Sequence, residues 1–135
     1  MKLNILVFIA AMIVLAACSQ TKDSPIGIWD DNIKLSAKTA ELTAAEDSVV
    51  FSTQGTWWWV TDISVGDSVF YRFENVDLES DQYSITVGEI VVARKNSTTL
   101  MVKVAENTSD SARIISVGLE AGDYFDRVVI TQAAP

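Results

Sequence analysis

The sequence holds 135 residues, with 18 acidic against 10 basic side chains, no histidine and one cysteine, for a formal charge of −8. So acidic a chain lacks the basic surface that a nucleic acid backbone needs to release its counterions, which argues against nucleic acid as a partner. The missing histidine removes His-based triads and the commonest metal ligand, and a lone cysteine cannot close an intrachain disulfide.

Met1-Lys2 supplies a positive charge, residues 3–17 are apolar except for Asn4, and Leu15-Ala16-Ala17-Cys18 closes the segment. The apolar run is shorter than the roughly 20 residues a membrane-spanning helix needs, so residues 1–17 read as a signal peptide. Leu-Ala-Ala-Cys resembles the lipobox of bacterial lipoproteins. The resemblance implies acylation of Cys18, cleavage before it, and a membrane held through two or three acyl chains, which anchor stably where one is marginal. Ser19 stands where many lipoproteins retained at an inner membrane carry aspartate, so the resemblance further implies the outer membrane, on its periplasmic or surface face. From Cys18 the chain has 118 residues, 9 basic and 18 acidic, for a formal charge of −9. That length suits one domain standing on its own core.

Residues 18–32 mix polar side chains with Pro25 and Gly27 and show no sustained period, so they read as a tether. Ile26, Ile28 and Trp29 interrupt it and are expected to pack on the edge of the domain. From Ile33 the pattern becomes short apolar runs with turn signals at close spacing, which predicts a β-sandwich over residues 33–135. Strands are expected near 33–36, 40–44, 47–53, 56–63, 68–75, 83–94 with a break at Gly88, 98–105, 112–119 and 124–132. Residues 38–47 are rich in Ala, Glu and Leu, and propensity alone would also allow a helix there. Residues 94–97 and 106–110 read as hairpin loops and 120–123 as a tight turn.

The domain is organised around Gly55-Thr56-Trp57-Trp58-Trp59-Val60, which holds three of the four tryptophans. In a strand Trp57 and Trp59 share one face while Trp58 and Val60 share the other. Burying two indoles removes more apolar area than burying one, so Trp57 and Trp59 are assigned to the core. Trp58 then lies either half-buried under a loop or open as a surface platform.

The order of these runs resembles a BACON domain, which implies an immunoglobulin-like sandwich. The resemblance rests on Ile33-Lys34-Leu35-Ser36, Ala40 to Ala44, Val49 to Gly55 and Thr56 to Val60, then on Leu100 to Asn107, Ser111-Ala112-Arg113 and Val128 to Gln132. In the family's Val-x-Val-x-x-Asn, Arg and Val-x-Val-x-Gln signals, the polar positions fall on Asn107, Arg113 and Gln132. The family is common on lipoproteins and glycan-degrading enzymes, so the resemblance implies a carbohydrate-related binding role. Two departures stand out: Ala45-Glu46-Asp47 replaces a frequent Gly-Gly turn, and 62–89 is longer than the usual link. That insertion is expected to add a hairpin, with Val69 to Phe73 as one arm and Tyr83 to Val87 as the other. Matching Trp57 to the family's Trp agrees with the core assignment above and leaves Trp58 outward.

Few residues carry chemistry. Asp77, Glu79 and Asp81 have the opening spacing of a calcium loop, but Gln82 replaces its turn glycine and Gly88 its closing glutamate, so a solvated acidic loop is the plainer reading. Paired carboxylates can run a glycosidase, yet among eighteen acids no pair is singled out. No cofactor motif occurs. The expectation is a non-catalytic binding or accessory domain on an envelope lipoprotein, in which Trp58, with Tyr71, Tyr83 or Tyr124, stacks on a glycan or meets an envelope protein. The alternative is a spacer or complex subunit with no ligand of its own, which burial of Trp58 would favour; a small carboxylate-based hydrolase is a third class.

Overall fold

The computed structural model describes residues 29–135, so the signal peptide, Cys18, Ile26 and Ile28 lie outside the described residues. Nine strands form: β1 (Thr39–Leu42), β2 (Asp47–Ser52), β3 (Trp59–Val65), β4 (Ser68–Phe70), β5 (Tyr83–Val87), β6 (Ile90–Asn96), β7 (Thr99–Val104), β8 (Arg113–Ala121) and β9 (Tyr124–Gln132). They build an immunoglobulin-like sandwich of two sheets, in the orders β1-β9-β8-β3-β4 and β2-β7-β6-β5. All pairings are antiparallel except β1 with β9. Among the described residues there is no helix, so the Ala- and Glu-rich stretch at 38–47 follows tertiary pairing over propensity.

The inner faces alternate as period 2 requires. Val92, Leu100, Val102 and Val104 from the four-stranded sheet meet Val60, Ile63, Val117, Leu119 and Ile130 from the other, all removed from water. Ile33 is equally buried, although the expected strand at 33–36 is reduced to a single bridge between Leu35 and Thr53. Its backbone is held by the other side of the same crossing: the Gly55 N–H donates to the Ile33 carbonyl at 3.0 Å.

The insertion supplies edge strands instead of one hairpin. Val69 pairs with Ser64 of β3, while Tyr83–Val87 pairs with β6 across the Gly88 turn. The two expected arms therefore close the edges of different sheets, and β4 ends at Phe70 instead of running to 75. Each arm finds a nearer neighbour in sequence than the other arm, so loop closure favours the two short hairpins.

With one cysteine, the far end of the sandwich is fastened by buried polar side chains. Gln132, fully buried, donates to the carbonyls of Ala44, Ala45 and Ala105 at 3.1, 3.1 and 2.9 Å, and its Oε1 accepts from Arg113 Nη2 at 2.6 Å. Asn107 donates to the carbonyls of Ser111 and Ala133 at 2.9 and 3.0 Å. A backbone carbonyl stranded in the interior would cost about 1–3 kcal/mol, and the Ala45 carbonyl has Gln132 as its donor.

Candidate functional site

The tryptophan run is placed with the opposite facing from that expected. β3 begins at Trp59, which pairs with Glu120 on the outer face, and Val60 pairs with Leu119 on the inner face. Trp58 precedes the strand on the inner side and is 1% exposed, whereas Trp57 is 69% exposed and Trp59 half-buried. Within the run the pairing of faces is as expected, Trp58 with Val60 and Trp57 with Trp59; beyond it a β-bulge between Val60 and Asp62 inserts Thr61 and changes the alternation. Without it, Trp59, Thr61, Ile63 and Val65 would share a face. With it, Val60, Ile63 and Val65 point in together, and the indole on Val60's side goes with them.

The buried indole is also the one whose polar atom can be satisfied. Trp58 Nε1–H donates to the Ser97 carbonyl at 2.9 Å and to Thr53 Oγ1 at 3.0 Å. Beneath its ring, 4.4 Å from the centroid, lies the guanidinium of Arg94, itself 3% exposed. Arg94 donates to the carbonyls of Thr56 at 2.7 Å and Ser80 at 3.1 Å and meets Asp81 at 3.3 Å. It thereby ties the 71–82 crossing to the Trp run. Its Nε is buried without a partner among the described residues. Sequence reading placed Arg94 in a hairpin loop. The missed signal was its parity with Ile90 and Val92, which puts a cation on a core-facing position.

Turning Trp58 inward sends two indoles outward. The rings of Trp57 and Trp59 pack edge to face, with centroids 5.3 Å apart and planes at 74°. Trp57 leans over the β8–β9 turn, close enough that a Cβ on Gly122 would lie 3.4 Å from Trp57 Cζ3. Gly122 has φ +63°, a conformation in which a side chain is strained, so the turn leaves open the space that Trp57 covers. On the same outer row Glu120 separates Trp59 from Phe125, which is 64% exposed. One flank of the Trp pair is a cleft of about 530 Å³, lined by Trp57, Trp58, Trp59, Leu78, Glu79 and Arg94. A larger depression of about 710 Å³ lies where the chain enters, lined by Asp30, Asp31, Asn32, Lys34, Gln54 and Gly55; it is polar and has no aromatic wall.

The tyrosines expected to accompany Trp58 do not gather with it on a surface. Tyr83 is half-buried in β5 and its hydroxyl oxygen accepts the Val60 N–H at 3.0 Å; burial pushes its pKa up. Tyr124 starts β9 and donates to Asp126 at 3.1 Å, with burial and then that bond raising its pKa. Lys38 also binds Asp126, at 3.0 Å, and this bond raises the lysine pKa. Tyr71 is 67% exposed just beyond β4, with Arg72 at 6.0 Å from its ring centre. Trp29, expected against the sandwich edge, is 57% exposed.

The acidic loop does not converge either. Asp77 accepts the Glu79 N–H at 3.1 Å, Asp81 turns to Arg94, and Glu79 lines the aromatic cleft. Among the described residues no group of three or more carboxylate, thiol or imidazole side chains is arranged to hold a metal ion.

No protein-family model matches the chain. No curated protein matches it either. Among solved structures, an NMR structure of a protein from Bacteroides thetaiotaomicron is similar over 82% of this chain and 93% of that one, with a TM-score of 0.63 and 21% identity. At that identity the likeness carries the sandwich fold.

Proposed function

We propose that the chain is a bacterial envelope lipoprotein, anchored through acylated Cys18 and delivered to the outer membrane, whose sandwich is a non-catalytic contact module. The observation that carries the module reading is the outward Trp57–Trp59 pair, with Trp57 69% exposed on a rigid strand entry. An indole held mostly in water returns little stability to the domain, and an exposed aromatic pair flanked by Glu79 and Glu120 is suited to stacking on a ring while the carboxylates accept hydrogen bonds from its hydroxyls. A saccharide is the ligand class implied by the BACON resemblance, through Trp57 in the role first expected of Trp58.

The test is paired. Wild type and Trp57→Ala are screened side by side on a glycan array and by titration, and Cys18→Ala is compared with wild type for incorporation of labelled palmitate in cells. Wild-type-specific glycan binding lost in Trp57→Ala supports the module, and equal palmitate labelling of Cys18→Ala sinks the anchor. A spacer or complex subunit without a glycan ligand is the second reading. The burial of Trp58 favours it, and glycan binding by neither protein would support it.

A further inference from the structure

We infer that the Trp57–Trp59 platform, together with Trp29, rests in the headgroup interface of the bilayer when the domain is held by a lipid on Cys18. The inference relies on the anchor in the proposed function and assigns the platform a resident surface, for which a sugar must compete.

The chain enters the sandwich at the platform's end. Asp31 Oδ1 accepts the N–H groups of Ile33 and Lys34 at 3.0 and 2.7 Å, fixing the turn by which the chain arrives. Asn32 then packs so closely on Gly55 that a Cβ there would lie 2.0 Å from the Asn32 carbonyl oxygen, and Gly55 is two residues before Trp57. Asp31 also lies within the electrostatic reach of Tyr124 and Lys38, next to the turn that Trp57 covers. Eleven residue steps separate Cys18 from Trp29, so the entry point stays within about 36–40 Å of the anchored thiol even at full extension. The tether thus joins the domain at the end that bears Trp57, with Trp29 two residues before Asp31.

The chemistry suits that surface. An indole has an apolar body and an N–H donor, and such rings concentrate at the headgroup level of bilayers. Trp29 and Trp57 are 57% and 69% exposed, with Phe125 at 64% beyond them. A formal charge of −9 opposes approach to an anionic leaflet, so the contact is assigned to zwitterionic lipid and should weaken as anionic lipid is added. A free domain would hold such a surface only weakly. The tether supplies the effective concentration.

The single cysteine gives a direct experiment. The chain from Cys18 onward is coupled through its thiol to maleimide-bearing phosphatidylethanolamine in phosphatidylcholine vesicles, with and without brominated phosphatidylcholine, and tryptophan emission is read. Brominated lipid should quench the coupled wild type and shift its emission to the blue. Trp57→Ala should lose most of that quenching and Trp29→Ala part of it, each with a cooperative urea transition whose midpoint stays above that of Trp58→Ala. Adding phosphatidylglycerol at low salt should reduce the quenching. No quenching in coupled wild type, full quenching retained in Trp57→Ala, or stronger quenching with phosphatidylglycerol would each overturn the inference. Because the coupling is chemical, absent quenching refutes docking whether or not cells acylate Cys18, and absent palmitate labelling refutes the anchor alone.

Discussion

Truncating Trp58 should unfold this domain far more readily than truncating Trp57, although the two are neighbours in one aromatic run. Trp58→Ala empties a fully enclosed indole site, which costs about 3–5 kcal/mol for a buried aromatic. It also strips the ring from above a buried guanidinium 4.4 Å away, a contact worth about 0.5–2 kcal/mol when shielded from water. Trp57→Ala removes a ring that is 69% exposed, and its principal loss is the edge contact with Trp59, about 1 kcal/mol or less at such a site. The expected gap is therefore about 3 kcal/mol. With a urea slope of about 1–3 kcal/mol per molar, the two variants should differ in midpoint by about 1 M or more. Equal midpoints, or a lower one for Trp57→Ala, would mean that the facing of the Trp run is the reverse of that described.

Two further outcomes can be read in the same melts. Gly55→Ala should cost about 2 kcal/mol or more, because its Cβ would meet a backbone oxygen and not a yielding side chain; a loss below about 0.5 kcal/mol would show that residues 31–33 do not cross Gly55 as described. Stability should hold at neutral pH and fall as the pH rises past about 10, since the folded pKa values of Tyr83, Tyr124 and Lys38 all lie above their ordinary values of 10.0, 10.0 and 10.5. In that window the unfolded chain gives up its protons first, which draws the equilibrium toward unfolding. Urea midpoints taken from about pH 8 to 11 in wild type and Tyr83→Phe check the sign: a midpoint that rises with alkali, or a steeper fall in the variant, would contradict it.

Most of the sandwich was legible because alternation survives in its longest strands. Residues 98–105, 112–119 and 124–132 were bounded by loop and turn residues and match β7, β8 and β9 within a few positions. The break at Gly88 was legible for the same reason. Parity within the Trp run was legible, but which side of it faces in was not, since the core side is shared with Ile63 only through an extra residue, and nothing in Val60-Thr61-Asp62 announces a bulge. Area bookkeeping then chose two indoles over one. It gave no weight to where an indole N–H would find partners, and only Trp58 has Thr53 and Ser97 within reach. The insertion misled for a different reason. Val69-Phe70 and Tyr83–Val87 have the composition of paired arms, but partner choice depends on which edge each can reach.

The residues on which the BACON resemblance rests have work to do whatever the domain binds. Arg113 donates to Gln132 Oε1, to the Ala105 carbonyl and to Glu89, Gln132 to the carbonyls of Ala44, Ala45 and Ala105, and Asn107 to those of Ser111 and Ala133 while its Oδ1 accepts from Ser109; Asn107 and Gln132 are buried. Replacing Gln132 would take the partner from the Ala45 carbonyl and the side-chain acceptor from Arg113 Nε, while the Ala44 carbonyl keeps the Asn107 N–H and the Ala105 carbonyl keeps Arg113 Nη2; a buried carbonyl left unsatisfied costs on the order of 1–3 kcal/mol. Stability alone is thus sufficient reason for these three side chains in a sandwich with no disulfide. Trp57 has no such reason. It satisfies no buried group, fills no enclosed space and faces water over most of its surface. Another sandwich could keep the Asn, Arg and Gln fasteners, lose Trp57, share this fold and have a different partner or none, so a functional likeness has to be sought at the outer end of β3 and not in the strand signals.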